Sequence, residues 1–293
     1  MTFSFNTIYV IESLPDGEMK TGYDIWHDQL QYMKVNHPKL DVFYKAVPSL
    51  KKWDDLMRDI LDDVIQNGNI PILHIEVHGE ENGKGLVFKN GELSGIEHVG
   101  EQLRKINIAT GCNLMLTLGV CKGLNLLFDM HLDKPMPFIG AVGSFDEIYS
   151  EDILIRYTEF YDTLFKTFNV GEAYIRLMNS NTGFPPSYRF FPADEFYYKN
   201  YQEYINKQCT ETALKQRALD TIATMSNPPV NRGERRRFMK LFVKEEQKNR
   251  IKYFKEHSEI FFMLDKFPEN RERFDVPSSF AALKRKYEKR VFV

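Results

Sequence analysis

Apolar runs and helical repeats take turns along the first 200 residues of the chain. Each predicted strand is a short apolar or β-branched run closed by turn residues, and each predicted helix has apolar positions three or four residues apart. The predicted strands are residues 7–11, 40–47, 70–77, 114–120 and 138–142. The predicted helices are residues 21–35 and 49–66, one through 102–103, a short one from 124, and 151–168. For the second of these, Ser49 is the expected N-cap and Asn67-Gly68 the expected C-cap.

This alternation is typical of an α/β fold in which a doubly wound, mostly parallel sheet is flanked by helices. The pattern changes near residue 200. Residues 201–224 and 235–259 are polar and helical, and the segment Asn227-Pro228-Pro229 separates them. We therefore predict two regions, an α/β domain over residues 1–200 and a helical C-terminal region over residues 201–293.

Charge and hydropathy limit the classes of partner. The 39 Lys and Arg residues nearly balance the 41 Asp and Glu residues, so a net charge of -2 gives no general attraction to nucleic acid or anionic membranes. No apolar run approaches the roughly 20 residues of a membrane span, and residues 1–14 lack the pattern of a signal peptide. We expect a soluble, cytoplasmic protein without a membrane span.

The 3 cysteines are too few and too scattered for a disulfide framework or a zinc site built from cysteine pairs. Cys112 follows a glycine in a predicted loop, and Cys209 lies in a polar helix, so both are interpreted as structural. We expect neither a metal nor another cofactor. Cys121 differs from the other two because it ends a predicted strand.

Chemically capable side chains end two of the predicted strands. His78 and Gly79 close the third strand, and Cys121 closes the fourth. Catalytic groups of an open parallel sheet lie beyond the carboxyl ends of its strands, and consecutive strands are usually neighbours. An imidazole beside a thiol can take its proton or stabilise its thiolate. The sequence therefore predicts a His78–Cys121 dyad, with the backbone N–H groups of Gly79 and Cys121 as oxyanion donors.

Each residue of this pair also has a structural interpretation. A cysteine at the end of an apolar strand is often a small buried hydrophobe, and a single histidine is often a hydrogen-bonded core or surface group. The combination favours catalysis, because both residues lie at matching strand ends and each is followed within two residues by glycine.

A metal site is a further alternative, because His74, Glu76 and His78 alternate with apolar residues and share one face of a strand. Cys121 would then be an additional ligand. Residues four apart on a strand are, however, about 13 Å apart, which is too far for His74 and His78 to share one ion. The geometry therefore favours the dyad.

At these residues the chain resembles the caspase-like (clan CD) cysteine peptidases, most closely the CHAT branch, which is related to separase. The histidine segment of that family matches His74-Ile-Glu-Val-His78-Gly79, and its nucleophile segment matches Val120-Cys121-Lys122-Gly123. A downstream strand, a loop with an aspartate and a helix with a Phe-Tyr pair match Phe138 to Asp146 and Phe160-Tyr161. The resemblance covers about residues 5–200.

The resemblance implies a caspase-like fold and a cysteine endopeptidase that acts on a protein substrate. The loop over residues 12–19 carries no arginine, so a pocket specific for aspartate is not expected. The family instead implies cleavage after a basic residue, with Asp146 as the pairing carboxylate. Asp146 can alternatively cap a turn or the next helix. Many such bacterial enzymes are effectors in antiviral defence or cell death, held inactive until a regulatory protein partner or signal arrives.

Two questions stay open in the sequence. Arg235, Arg236 and Arg237 begin a basic amphipathic segment that can contact nucleic acid, although interspersed glutamates favour a solvated helix packed on the main domain. The chain can also be a catalytically silent caspase-like scaffold that acts as a protein-interaction module through its helical C-terminal region. The peptidase is the favoured hypothesis.

Overall fold

The computed structural model describes residues 3–277 and residue 282. These residues form two compact units. The first comprises the described residues up to His131 together with Pro135–Ala193, and the second comprises Leu132–Lys134 together with the described residues from Asp194 onward. The boundary predicted after residue 200 lies inside a helix, Ala193–Gln208.

A mostly parallel sheet forms the centre of the first unit. Its strand order is β2-β1-β3-β6-β7-β8, in which β8 alone runs antiparallel to its neighbour, and β4 and β5 form a hairpin that extends from β3. The predicted α/β class with a mostly parallel sheet is confirmed. The strands are β1 (Thr7–Ser13), β2 (Asp41–Ala46), β3 (Pro71–Gly79), β4 (Gly85–Val87), β5 (Leu93–Gly95), β6 (Met115–Leu118), β7 (Gly140–Ser144) and β8 (Tyr188–Pro192).

Helices flank this sheet and continue into the second unit. A π-helical turn (Ile25–Leu30) joins α1 to α2, and a 3₁₀ helix (Gly123–Asp129) follows β6 after a short turn. The α-helices that begin in the first unit are α1 (Thr21–Asp24), α2 (Gln31–Asn36), α3 (Leu50–Asn67), α4 (Ile96–Ala109), α5 (Ser150–Thr167), α6 (Val170–Met178) and α7 (Ala193–Gln208). Those of the second unit are α8 (Glu211–Thr224), α9 (Arg232–Phe261) and α10 (Asn270–Arg273).

Local sequence signals explain where these elements begin and end. Ser49 is the N-cap of α3, where its side chain accepts a hydrogen bond from the Lys52 N–H at 3.3 Å. Gly68 ends the same helix in the left-handed region, with φ 69°. Both caps were predicted from the sequence. Every residue of β1 is buried, because this strand lies between β2 and β3 and both of its faces are covered.

Two elements of the first unit, α6 and β8, were not predicted. The β8 sequence Tyr-Arg-Phe-Phe-Pro contains a charged residue and ends in proline, both of which weaken a strand prediction. The buried guanidinium of Arg156 organises this part of the chain. It donates to the carbonyls of Leu177 at 2.7 Å and Phe184 at 2.9 Å, and to the Asp152 carboxylate at 2.6 Å. Such long-range bonds leave no periodic signal in the sequence.

The second unit is helical, as predicted, and is held together by aromatic side chains. Tyr197 contacts Phe261 with ring centroids 4.8 Å apart, and Tyr201 bonds the ring of His257 at 2.6 Å. In α9, Arg235, Arg236 and Arg237 are exposed. Among the residues that the structure describes, no helix combines the length and the apolarity needed to cross a bilayer.

Candidate active site

His78 and Cys121 lie side by side at the carboxyl edge of the sheet. Strands β3 and β6 are parallel neighbours, in which Ile72 pairs with Met115 and Ile75 with Leu118. The Gly119 N–H still donates to the Ile75 carbonyl at 2.9 Å, and the chain then bends at Val120 and turns at Cys121. This path brings the Cys121 backbone against Gly79, the residue that follows His78.

Gly79 allows the two strand ends to approach each other closely. A Cβ atom built on Gly79 would lie 1.9 Å from the Cys121 carbonyl oxygen, so no larger residue fits without moving the backbone. The Glu80 N–H donates to the Gly85 carbonyl at 2.9 Å across the β3–β4 pair. Hydrogen-bonding positions alternate along an antiparallel pair, so the N–H of Gly79 points away from β4 and towards Cys121. The Gly79 N–H is therefore a hydrogen-bond donor directed at Cys121.

Glu18 is the hydrogen-bond partner of His78. The Nε2 atom of His78 lies 2.8 Å from the Glu18 Oε2 atom, and both side chains are about half exposed. A carboxylate at Nε2 holds the proton on that nitrogen and leaves Nδ1 as the basic atom. Glu18 was not predicted as a site residue, because it is 60 positions away from His78 and lies in the loop between β1 and α1.

The loop that carries Glu18 is held in place by lysines. Lys20 donates to the carbonyls of Leu14 at 2.6 Å and Pro15 at 2.7 Å. Lys89, which follows the β4 strand, bonds the Asp16 carboxylate at 2.6 Å, and this hydrogen bond lowers the pKa of Asp16. The hydrogen bond between Glu18 and His78 therefore depends on a loop that bonds from Lys20 and Lys89 hold in place.

The thiol of Cys121 contacts the loop that follows β7. The Ile148 N–H lies 3.5 Å from the sulfur, and the sulfur lies 3.7 Å from the Ile148 carbonyl oxygen. Within the described part of the chain, no hydrogen bond joins His78 to Cys121.

Lys122, the residue after Cys121, is hydrogen-bonded to two neighbouring loops. Lys122 has φ 56°, and its N–H donates to the Asp146 carbonyl at 3.0 Å. Its Nζ donates to the Glu81 carbonyl at 2.7 Å, and the Asn125 side chain donates to the Gly83 carbonyl at 3.0 Å. The loop after His78 and the loop after β7 are thus both attached to the Cys121 turn.

A buried tyrosine occupies the point where β6 and β7 separate beyond their paired segment. The Tyr157 hydroxyl of α5 accepts from the Leu118 N–H at 3.0 Å and lies 2.9 Å from the Leu118 carbonyl and 3.1 Å from the Val142 carbonyl. Burial raises its pKa well above the ordinary value, so it remains a neutral hydroxyl. The paired segment of the two strands ends at Thr117 and Val142, and beyond it the Lys122 N–H donates to the Asp146 carbonyl at 3.0 Å.

Asp146 is exposed in the loop that follows β7. Its N–H donates to the Ser144 hydroxyl at 2.9 Å, and no hydrogen bond or ion pair to its carboxylate is found among the described residues. Helix α5 begins after Tyr149 without a side-chain cap, so Asp146 does not cap it. The carboxylate is free to contact a cation.

His74 and Glu76 are buried partners of each other. The Nε2 atom of His74 lies 2.9 Å from the Glu76 carboxylate, and its Nδ1 atom lies 2.9 Å from the Thr117 hydroxyl. Thr21 of α1 donates to the second oxygen of Glu76. These bonds occupy both ring nitrogens of His74. No group of three or more His, Cys, Asp or Glu side chains suited to hold a metal ion occurs in residues 3–277.

A second buried carboxylate adjoins this pair. Glu12 on β1 is the register partner of Glu76, and it accepts hydrogen bonds from the Tyr44 hydroxyl at 3.0 Å and the Tyr23 N–H at 3.1 Å. Burial raises the pKa of Glu12. A Cβ atom on Gly22 would lie 3.1 Å from the Glu12 carboxylate, so a glycine lets α1 approach both acids. The two glutamates anchor the start of α1 directly after the loop that carries Glu18.

Neither of the two remaining cysteines follows the carboxyl end of a strand. Cys112 is buried after α4, and Cys209 lies in the second unit. All 3 cysteines are free thiols. Comparison with known proteins adds no further assignment, since no protein-family model matches the chain and no curated protein matches its sequence.

Proposed function

We propose that this protein is a caspase-like cysteine endopeptidase of the CHAT, separase-related branch, with Cys121 as nucleophile and His78 as general base. The single observation that carries the proposal is the close approach of Gly79, at the end of β3, to the Cys121 carbonyl in the turn after β6, which brings His78 and Cys121 to one edge of the sheet. The strand order, with five parallel strands and an antiparallel edge strand, is compatible with that fold.

The chemistry follows from the contacts of these residues. Nδ1 of His78 takes the thiol proton of Cys121, while Glu18 holds the opposite nitrogen and stabilises the imidazolium that forms. The sulfur attacks the scissile carbonyl, and the N–H groups of Gly79 and Cys121 donate to the oxyanion. His78 then protonates the leaving amine, and water releases the acyl group from Cys121.

Catalysis requires a change at the thiol. The sulfur of Cys121 contacts the Ile148 backbone and not the imidazole. A rotation about the Cα–Cβ bond of Cys121 would redirect it towards the substrate carbonyl. Catalytic hydrogen bonds are often longer in a free enzyme than in its substrate complex, so the present geometry is compatible with catalysis.

Exposed carboxylates at the carboxyl edge of the sheet support a substrate with a basic residue at the cleavage site. Asp146 and Glu147 follow β7, and Glu81 follows β3, and the three exposed carboxylates have no ion-pair partner among the described residues. An Arg or Lys side chain at this edge would gain charge-assisted hydrogen bonds, and Asp146 is the carboxylate on the loop bonded to the Cys121 turn. We further propose a regulated effector role, for which the family resemblance is the support.

A silent scaffold that binds a protein partner is the second candidate. The observation that favours it is the thiol of Cys121, which is hydrogen-bonded to the Ile148 backbone and has no hydrogen bond to His78 among the described residues. In that case the dyad residues would be present without activity.

Peptide cleavage separates the two candidates. Wild type, Cys121→Ala and Cys209→Ala are incubated with a peptide library that contains arginine, lysine and neutral residues, and the products are analysed by mass spectrometry. We expect cleavage after arginine or lysine by wild type and Cys209→Ala, and none by Cys121→Ala. The same reactions are run with the native interaction partners captured from the source cell. Equal inactivity of all three proteins under both conditions would reject the peptidase and favour the scaffold.

A further inference from the structure

An aromatic pocket lies at the edge of the sheet opposite the dyad. It has a volume of about 520 Å³, within the range of roughly 300–1,000 Å³ that is usual for small-molecule sites. Asn6 and Leu40 line it directly before β1 and β2, at the amino ends of these parallel strands. His78 lies at the carboxyl end of β3 and Cys121 follows the carboxyl end of β6, so the pocket is separate from the candidate active site.

Three aromatic rings form the apolar wall of the pocket. Phe165 and Phe168, at the end of α5, lie 6.0 Å and 6.3 Å from Phe5 by ring centroids. The imidazole of His37 lies 5.3 Å from the Phe165 ring. Rings at these separations present an apolar surface suited to a planar or hydrocarbon group.

Phe168 has an unusual backbone conformation at the rim of the pocket. It follows α5 in the left-handed region, with φ 51°, where glycine is favoured and a bulky residue is strained. Its side chain is nevertheless 60% exposed, so the strain is not offset by complete burial. The Phe168 ring therefore contributes more to the pocket wall than to the stability of the C-terminal end of α5.

Lys39 and His37 also belong to the lining. Lys39 is exposed, and neither its ammonium nor the imidazole of His37 has a hydrogen bond or ion pair within the described part of the chain. The carboxylate of Asp41, which follows Leu40 in the chain, is engaged by Lys34. A lysine without a charge partner in the lining of a pocket with three phenyl rings matches a ligand with an apolar body and one negative charge.

We infer that this pocket binds a small amphiphilic anion, an aromatic or hydrocarbon carboxylate or sulfonate, with its apolar body on Phe5, Phe165 and Phe168 and its charge towards Lys39. The inference does not depend on the proposed peptidase activity. It adds a ligand site at the edge of the sheet that the dyad does not use.

Two dyes that differ by one charge test this inference. The probes are 8-anilinonaphthalene-1-sulfonate and its uncharged analogue N-phenyl-1-naphthylamine, titrated into the full chain and followed by fluorescence. Wild type should bind the sulfonate with saturation. Lys39→Met keeps the aliphatic stem, so it should weaken the sulfonate by about three- to tenfold and change the neutral dye by less than about twofold.

Phe168→Gly separates binding from folding. Glycine suits the left-handed position, so the melting temperature should stay equal or rise, while both dyes bind about tenfold more weakly because the ring is lost. Phe128→Ala is the matched control, because Phe128 is 72% exposed on the 3₁₀ helix and should leave binding unchanged. The inference is overturned if wild type shows no saturable binding, if Phe168→Gly binds both dyes like wild type, or if Lys39→Met weakens both dyes equally.

Discussion

The two edges of the central sheet differ in chemistry although the same strands form both. The carboxyl edge carries His78, Cys121 and exposed carboxylates, and hydrogen bonds from Lys122 and Lys20 fix its loops. The amino edge carries phenyl rings around a cavity of about 520 Å³ and a lysine without an ion-pair partner in the described residues. The His78–Cys121 pair and the aromatic pocket thus lie at opposite edges of the sheet. We therefore expect a substitution at one edge to leave the properties of the other edge unchanged.

The largest expected difference between the edges is in peptidase activity. His78→Ala removes the general base and should lower kcat/KM by about 10³-fold, whereas Phe168→Gly at the amino edge should leave it within about twofold. The measurement is steady-state cleavage of the best basic peptide. Comparable losses in both variants would show that the two edges are not independent.

Gly79→Ala should cause the next largest effect, because the added methyl group overlaps the Cys121 carbonyl oxygen. We expect a loss of about 2 kcal/mol or more in the free energy of unfolding, together with loss of cleavage, since the two strand ends must separate. Urea denaturation provides the measurement. Gly95→Ala is the control, because a Cβ atom there meets no neighbour within 4 Å and should cost little.

Glu18→Gln keeps the shape of the side chain but removes the charge beside His78. We expect kcat to fall about tenfold with little change in KM, because the carboxylate orients the base and does not bind substrate. Asp16→Asn, in the same loop, changes a carboxylate that faces Lys89 and should retain activity within about twofold. An unchanged kcat in Glu18→Gln would remove Glu18 from the mechanism.

The smallest expected effect is the pH dependence that Glu12 gives to stability. Its pKa in the folded protein is raised above the ordinary 4.5 by burial, so its contribution is fully present below pH 4.5 and is lost as the pH rises through the folded-state pKa. Wild type should therefore lose stability relative to Glu12→Gln as the pH is raised above 4.5. Urea unfolding across this range tests it, with the exposed Glu147→Gln as control. Parallel stability curves for wild type and Glu12→Gln would contradict the prediction.

The sequence predicted those parts of the fold that depend on local signals. Periodicity located the five parallel strands, and Ser49 and Gly68 predicted the ends of α3, because caps act within a few residues. It did not predict β8, whose place depends on pairing with β7 and on the bonds that Arg156 makes to distant carbonyls. Long-range contacts of this kind have no fixed spacing along the chain.

The residues of the candidate site likewise divide into those with a local sequence signal and those placed by long-range contacts. His78, Gly79 and Cys121 were predicted because each ends an apolar strand, and parallel strands expose these ends at one edge. Glu18 was not, because its contact with His78 depends on how a loop of seven residues, Leu14 to Lys20, is folded by its lysine bonds. The aromatic pocket was also missed, since Phe5, His37 and Phe168 come from three separate segments.

The reactivity of the Cys121 thiol tests the central claim most directly, because it does not require a known substrate. Iodoacetamide labelling is followed by peptide mass spectrometry, which separates Cys121 from Cys112 and Cys209, and rates are compared between pH 5 and pH 9. If His78 takes the thiol proton, wild-type Cys121 should react at least about tenfold faster than Cys121 in His78→Ala at pH 6.5, with unchanged rates at Cys209. Superimposable rate–pH curves for Cys121 in the two proteins would contradict a His78–Cys121 dyad.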